Sequence, residues 1–211
     1  GLFMGQFFLS AIVEMRYFFN ILPVVLCVFI PAITMRVWAE EKKGNTLELL
    51  LTFPMPSQYL VLGKFFAALV CYILTLLATI SIPIMLFSVG NPDPGPIIGG
   101  YIGALFMGAF FLSVGIFVSG LCKDQIVAFV IAMLVCAFFF LIGLDFFASL
   151  IDGWIPGLGN FLKNNLGMTQ HFVSFSKGVI DNKDIVYFVI MTTAFLALNI
   201  FSLEDRMRPQ A

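Results

Sequence analysis

The residues that could do chemistry in this chain are few and lie far apart. Its four cysteines lie in or at the edge of apolar runs and form no C-x-x-C pair: Cys27, Cys71, Cys122 and Cys136. This spacing suggests neither a disulfide framework nor a zinc site. His171 is the only histidine, and one histidine without a cysteine or a paired carboxylate at ligand spacing is a weak metal signal. We therefore expect a hydrogen-bonded surface or packing histidine, with an external or pathway role as the alternative.

Asp145 is the one acidic residue inside a long apolar run. An ionisable group inside a membrane is a functional candidate, because its charge costs about 2.5–3.5 kcal/mol at the bilayer centre. Counted from Ile126, Asp145 lies roughly 28 Å along a helix, which is the outer interface of a ~30 Å hydrocarbon core. Water can solvate the carboxylate there. We expect an interfacial Asp145, and a proton or substrate relay is the alternative.

No sequence motif for a reaction is present. The chain has no Gly-x-x-x-x-Gly-Lys-[Ser/Thr], since Gly63-Lys64 lacks the upstream glycine, and so it has no P-loop for ATP phosphates. It also has no His-Glu-x-x-His and no Gly-x-Ser-x-Gly, the motifs of two large hydrolase classes. We therefore expect no enzyme activity, no metal and no cofactor bound by this chain.

The composition indicates that most of the chain faces lipid. Of the 211 residues, 61% are hydrophobic and only 11% are charged, whereas soluble domains are about 45–50% apolar. Eleven Lys and Arg against twelve Asp and Glu give a net charge of −1. No basic field therefore exists that could hold nucleic acid by counterion release.

Five apolar runs are long enough to cross a membrane as helices, which takes about 20 residues. They are 18–35, 60–89, 97–121, 126–151 and 185–203. The sequence thus predicts an all-α polytopic membrane protein with five transmembrane helices in one transmembrane domain over 1–211. Pro23 and Pro31 lie in the first run, where a packed span tolerates them as a kink. Residues 1–13 are too short to cross, so we expect a helix at the membrane surface.

Basic residues beside the short loops predict the orientation. Seven of the eleven follow the first, third and fifth runs or begin the second: Arg36, Lys42, Lys43, Lys64, Lys123, Arg206 and Arg208. Lys64 is most simply a snorkelling anchor. The loop 90–96 has no Lys or Arg, and in 152–184 three lysines are balanced by three aspartates. We expect a cell (inner) membrane protein with a cytoplasmic C-terminus, an external region at 152–184, and a sixth span upstream of Gly1.

Residues 38–54, between the first and second spans, interleave charged and apolar side chains. Asn45 and Glu48 form a capping-box pattern, and Pro54 helps to end the helix. One face of this short amphipathic helix is apolar, with Leu47, Leu50 and Leu51. A helix of about two turns needs a surface to dock on, either lipid headgroups or another protein. The polar face has more Glu than Lys, which favours a protein over an anionic leaflet.

The stretch from Pro31 to Pro54 resembles the membrane permease subunits of ABC type-2 exporters, specifically the gliding-motility and NosY-like branch. The resemblance is carried by Pro31-Ala-Ile-Thr-Met-Arg36 and by Glu40-Glu-Lys-Lys-Gly-Asn-Thr-Leu-Glu-Leu-Leu-Leu-Thr-Phe-Pro54. Further echoes are Leu62-Gly-Lys-Phe65, Gly115-Ile-Phe-Val-Ser119, Asp124-Gln-Ile-Val-Ala-Phe129 and His171-Phe-Val-Ser-Phe-Ser-Lys-Gly-Val-Ile-Asp181. One departure is Gly44-Asn45-Thr46, where the family more often has Gly directly before Thr.

The resemblance implies six spans and a coupling helix within 38–54. Such a helix sits in a groove of a separate ABC ATP-binding subunit and passes the closure of that subunit to the spans. Carried over to this sequence, the ATPase-coupling residues are Glu40, Glu41, Thr46, Leu47, Glu48, Leu50 and Leu51. The resemblance also implies short external helices before the last span, a second permease in a homo- or heterodimer, and ATP and Mg on the partner ATPase.

The permease half of an ATP-driven exporter is thus the predicted function. A passive channel or a membrane scaffold is the alternative, with the same spans but without an ATPase partner. A membrane-embedded enzyme would need clustered polar groups, and beyond Asp145 the spans contain only scattered Asn, Ser and Thr. Small residues at four-residue spacing in the third span, such as Gly99 and Gly103, indicate close helix packing within the subunit or across a dimer.

Overall fold

The computed structural model describes residues 15–46, 56–90, 92–154 and 157–207. Throughout these ranges the regular elements are α-helices. In chain order they are α1 (Arg16–Thr34), α2 (Arg36–Lys43), α3 (Ser57–Ala78), α4 (Ser81–Val89), α5 (Pro94–Leu121), α6 (Gln125–Ile142), α7 (Asp145–Trp154), α8 (Leu158–Leu166), α9 (Met168–Ser176) and α10 (Asn182–Met207). Five helical stretches are long and apolar enough to cross a membrane: Phe18–Lys43, Ser57–Ser88, Pro94–Leu121, Gln125–Ile142 and Asn182–Asp205. The prediction of an all-α polytopic membrane protein is confirmed.

Helix α5 lies at the centre of the bundle. Among its most apolar 18 residues 72% are buried, against 17% in the stretches Ser57–Ser88 and Asn182–Asp205. Helices α1, α2, α3, α6, α9 and α10 all pack against it. The outer helices expose large apolar side chains such as Leu74 and Phe201, as expected where the solvent is hydrocarbon.

Small residues let the neighbouring helices approach α5 closely. A Cβ added at Gly108 would lie 2.2 Å from the ring of Tyr72 on α3, and one at Gly115 would lie 2.1 Å from Oγ1 of Thr34 on α1. At Gly103 it would lie 2.6 Å from a side chain of α9. These glycines therefore pack within the subunit, which is one of the two possibilities that the sequence leaves open.

The second span consists of two helices, α3 and α4, where the sequence predicts one run over 60–89. Pro83 has no N–H to donate to the carbonyl of Thr79, four residues earlier. The hydroxyl of Tyr101 on α5 donates to that carbonyl at 3.0 Å, as does the N–H of Ile82 at 3.0 Å. The helix is thus interrupted at Thr79, and a neighbouring helix satisfies the freed acceptor.

The predicted fourth span, 126–151, is two helices rather than one. Helix α6 ends before Gly143, and α7 begins at Asp145. Gly143 lies against α9, where an added Cβ would be 2.7 Å from Cβ of Thr169. The hydroxyl of Thr169 donates to the carbonyl of Phe140 at 2.9 Å, which satisfies an acceptor in the last turn of α6. Asp145 therefore lies outside the membrane-spanning stretch.

The first span does not give way to a loop after Met35, because α2 follows α1 directly and continues to Lys43. Asn45 then has a φ of 53°, the left-handed conformation that is typical just after a helix ends. An N-cap residue has extended backbone, so the backbone of Asn45 does not match the predicted N-cap. The remainder of the predicted coupling helix and the predicted surface helix at 1–13 lie outside the described residues.

In the described residues between α6 and α10 lie three short helices, α7, α8 and α9. The resemblance implies short external helices before the last span, and α7 begins within the predicted fourth span. The carboxylate of Asp152 accepts hydrogen bonds from the N–H of Gly159 at 2.6 Å and of Asn160 at 3.3 Å. These are orphan donors in the first turn of α8. Gly157, just before α8, has a φ of 87° that glycine adopts without strain. Asp152 of α7 therefore satisfies two N–H donors of α8 and holds the two helices together.

Candidate functional site

Polar side chains gather near both ends of α5. At Ser119 and Gly120 they come from α2, α3 and α10, and we call this region the Trp38 end. Gly99, near the other end, lies against the last residues of α9, and we call this region the His171 end. Helix α5 has 28 residues, or about 42 Å at 1.5 Å per residue. Gly99 and Ser119 are 20 positions apart in this helix, or about 30 Å, so the two regions lie near its opposite ends.

Lys64 of α3 joins three groups of the α2 segment at the Trp38 end. Its Nζ donates to Oε1 of Glu41 at 2.5 Å and to the carbonyl of Val37 at 2.6 Å. The same ammonium lies 4.0 Å from the centroid of the Trp38 ring, a cation–π distance. Trp38 is fully buried and shares a helix face with Glu41, three residues later. One lysine thus ties α3 to the side of α2.

Ser119 of α5 holds the junction of α1 and α2. Its Oγ accepts from the N–H of Trp38 at 3.0 Å and of Ala39 at 3.2 Å, and it donates to the carbonyl of Met35 at 3.1 Å. In an uninterrupted helix the N–H of Ala39 would donate to the carbonyl of Met35. A side chain of α5 is therefore inserted into the hydrogen-bond ladder between α1 and α2, which is a known cause of helix bending.

Three buried polar atoms at the Trp38 end have no hydrogen-bond partner among the described residues. They are Nε1 of Trp38, Oε2 of Glu41 and Nδ2 of Asn199. A Cβ added at Gly120 would lie 3.7 Å from Cδ1 of Trp38 and 3.6 Å from Oδ1 of Asn199, so the indole and the amide flank this glycine. An unpaired buried polar group costs about 1–3 kcal/mol. The polar groups at this end are therefore incompletely satisfied in this arrangement.

The predicted coupling residues divide into exposed, paired and undescribed ones. Glu40 and Thr46 are exposed, and the hydroxyl of Thr46 donates to the carbonyl of Glu41 at 3.2 Å. The carboxylate of Glu41 instead binds Lys64 inside the subunit. Four predicted residues lie outside the described ranges: Leu47, Glu48, Leu50 and Leu51.

At the His171 end, His171 joins α9 to α10. Its Nδ1 lies 2.6 Å from Oδ1 of Asp184, whose residue is only 6% exposed. Its ring stacks on that of Tyr187 with 4.1 Å between centroids, and the hydroxyl of Tyr187 donates to the carbonyl of Leu166 at 2.7 Å. This is the arrangement of a hydrogen-bonded packing histidine. Within the described part of the chain, no group of three His, Cys, Asp or Glu could hold a metal ion.

Asp145 forms a separate ion pair. It pairs with Lys163 of α8, and its side chain is 91% exposed. It begins α7 and does not share a partner with His171. The structure thus places the two candidates from the sequence in different pairs, and a pathway role for either stays a prediction.

An open apolar groove of about 440 Å³ lies between α3, α4 and α5. It is lined by Ile73, Leu76, Leu77, Ile80, Pro83, Ile97, Ile98, Tyr101, Ile102 and Leu105. The hydroxyl of Tyr101 is already engaged with Thr79. The lining therefore offers hydrocarbon contact but no spare polar group to orient a ligand.

A family model described as ABC-2 family transporter protein matches residues 15–201. The chain belongs to this family. This ABC-2 family member is accordingly a multi-pass membrane protein of the permease type. No curated protein matches it. The match is to the family as a whole, so the gliding-motility and NosY-like branch stays a prediction.

Sequence reasoning misses the roles of Lys64 and Ser119 in this ABC-2 permease. The sequence favours a snorkelling anchor for Lys64, whereas the structure pairs this lysine with Glu41 and Trp38. The available signal is the spacing of Trp38 and Glu41, three residues apart on one helix face, with a lone lysine near the start of the next span. Ser119 has no comparable signal, because serine in an apolar helix most often bonds its own helix.

Proposed function

We propose that this protein is the membrane-spanning permease subunit of an ATP-driven exporter that works with a separate ABC ATP-binding subunit and a second permease. The family match over 15–201 is the observation that carries the proposal. Helix α2 supports it, because this helix extends the first span to Lys43 and so contains the first residues, 38–43, of the predicted coupling segment 38–54. ATP and Mg are bound by the partner, since this sequence has no P-loop.

The proposed mechanism is mechanical. ATP binding draws two partner ATPases together, and each pushes on the segment that follows Thr46. The push reaches α2 and then the spans packed around α5, so that a permease dimer switches its central pathway. The chain itself forms and breaks no covalent bond. A bistable packing of helices suffices for such a switch.

The proposed orientation places the Trp38 end in the cytoplasm and the His171 end outside. The Trp38 end carries Arg36, Lys42 and Lys43 in or beside α2, and the loop 90–96 on the other side has no Lys or Arg. This asymmetry agrees with the positive-inside rule. The C-terminus, after α10, is then cytoplasmic, and the membrane is the cell (inner) membrane.

Charge reversal in the coupling segment tests the proposal. We expect Glu40→Lys, at an exposed position, and Glu48→Lys, outside the described residues, to lower ATP hydrolysis by the assembled transporter while membrane insertion stays intact. The reason is that the groove of the proposed ATPase is complementary to a carboxylate. A lysine in the same place would meet groups of like charge, which weakens docking. Asp181→Lys is the matched control, because Asp181 is exposed at the His171 end.

Unchanged hydrolysis in both Glu variants would contradict the docking assignment. Equal loss in Asp181→Lys would mean that the change in net charge, and not its position, is responsible. A passive channel or scaffold predicts no effect in any of the three variants, since neither uses an ATPase.

A further inference from the structure

We propose that Lys64 is a positioning residue that makes α3 follow the movement of α2. Its contacts with Glu41, Trp38 and the carbonyl of Val37 together form what we call the Lys64 latch. The inference rests on the proposed function, because it concerns the route by which a push on the coupling segment reaches the spans.

The junction of α1 and α2 has an interrupted hydrogen-bond ladder, and so α1 is a poor route for transmitting the movement of α2. In an uninterrupted helix the N–H of Ala39 would donate to the carbonyl of Met35, and here both groups bond to Ser119 instead. A helix interrupted in this way loses stiffness at the interruption. Movement of α2 therefore does not have to carry α1 with it as one rigid rod. Ser119 links α2 to α5, whereas α3 needs a connection of its own if it is to follow α2.

The Lys64 latch provides that connection. Its lysine side chain is 19% exposed and its glutamate side chain is 30% exposed, so neither group is free in water as in an ordinary surface pair. Lys64 also touches one backbone carbonyl and one aromatic face. Separation of α2 from α3 would leave the ammonium at an apolar surface without its carboxylate, carbonyl and ring partners. The two helices therefore move together at this point, and α3 is a spanning helix.

The unpaired atoms at the Trp38 end are divided between α2 and α10. Trp38 Nε1 and Asn199 Nδ2 are donors, and Glu41 Oε2 is an acceptor, yet none has a partner among the described residues. Trp38 and Glu41 lie on α2, whereas Asn199 lies on α10. A shift of α2 relative to α10 changes which of these atoms can pair.

The test uses the complex of this protein with the ATPase that co-purifies with it, reconstituted in lipid nanodiscs. Lys64→Met removes the charge and keeps the length of the stem, whereas Lys64→Arg keeps a cation that can bind the carboxylate and the ring. Lys163→Met is the matched control, because Lys163 is also an ion-paired lysine but lies at the His171 end. ATPase activity, the stoichiometry of the complex and its melting temperature are measured for each.

We expect Lys64→Met to bind the ATPase at wild-type stoichiometry and to lower permease-dependent ATP hydrolysis by a factor in the range of about 5–150, the usual size of a coupling between two sites. We expect Lys64→Arg to keep at least about half of the wild-type activity, because arginine keeps a cation that can bind the same carboxylate and ring. Lys163→Met should leave the activity unchanged. Glu41→Gln, which removes the charge of the other partner, lowers activity in the same way and serves as the second variant if Lys64→Met fails to accumulate. Rescue by arginine at constant stoichiometry is a result that loss of fold alone does not give.

Two outcomes overturn the inference in distinguishable ways. If the wild-type protein carries no ATPase, both the proposed function and the latch are wrong. If the wild type carries it and Lys64→Met and Glu41→Gln both hydrolyse ATP at the wild-type rate, the proposed function stands and the latch alone is wrong.

Discussion

At the scale of single residues, two side-chain contacts in the region from α7 to α10 differ in how far water reaches their carboxylates. Asp145 has a side chain that is 91% exposed beside Lys163, whereas the side chain of Asp184 beside His171 is 8% exposed. Exposed pairs contribute about 0–1 kcal/mol to stability. Loss of the partner of a buried polar group costs about 1–3 kcal/mol, because that group is left without a hydrogen bond.

Removal of the basic partner from each pair should therefore give unequal effects. Lys163→Met should lower the free energy of unfolding by less than about 1 kcal/mol. His171→Phe keeps a ring to stack on Tyr187 but leaves the buried carboxylate of Asp184 without its hydrogen-bond partner, and it should cost about 1–3 kcal/mol. Unfolding in detergent, followed by circular dichroism, measures both. Equal effects of the two substitutions would show that burial does not distinguish the pairs.

The sequence identifies Asp145 and His171 as candidates but not their partners. His171 meets Asp184 across 13 positions and Lys163 meets Asp145 across 18 positions. Both pairs depend on how α8, α9 and α10 fold back on one another, which has no local signature. The same holds for Lys64 and Glu41, 23 positions apart on different helices.

At the scale of helices, the packing of α5 depends on residues without side chains. Gly108 lies directly against Tyr72, whose hydroxyl donates to the carbonyl of Ala104 at 2.7 Å. A side chain at Gly108 therefore has to displace a fully packed ring. Gly63 on α3, in contrast, has nothing within 4 Å of the position that a Cβ would take.

These two glycines allow a matched test of the packing. Gly108→Ala should lower the free energy of unfolding by about 1–3 kcal/mol, the usual cost of overpacking a core. Gly63→Ala should instead raise it by about 0.5–1 kcal/mol, because alanine replaces glycine inside a helix where nothing obstructs the new Cβ. Thermal unfolding of the two purified variants in the same detergent gives the comparison. If Gly108→Ala melts with the wild type, α3 does not approach α5 as closely as described.

Hydropathy locates the spans but not the interruptions within them. The apolar run over 60–89 contains Pro83, which is visible in the sequence, although a proline can also be accommodated as a kink without ending a helix. The end of α6 depends on Thr169, 29 positions after the carbonyl of Phe140 that it binds. Apolar side chains continue past this point, so composition alone extends the helix to 151.

At the scale of the whole molecule, an exposed lysine lies near each of the two ends of the bundle. Lys43 is exposed just after the Trp38 end, and Lys177 is exposed just after α9 at the His171 end. With α5 about 42 Å long, these two residues lie on opposite sides of the membrane. Their accessibility reports the orientation directly.

Single cysteines at these positions test the orientation. In a variant without the four native cysteines, Lys177→Cys should react with a membrane-impermeant maleimide on intact cells. Lys43→Cys should react only after the membrane is permeabilised. The reverse pattern would invert the predicted topology, and labelling of both from one side would contradict the placement of the two ends.

The central claim is that this permease works with a separate ATPase, and the most direct measurement is the composition of the native complex. The full-length protein is purified from its own membranes in a mild detergent, and the proteins that co-purify are quantified by mass spectrometry. We expect a P-loop ATPase at about one copy per permease, because each coupling segment docks in the groove of one ATPase. Absence of any such ATPase, from a preparation in which other membrane complexes remain intact, would contradict the account and favour a passive channel or a scaffold.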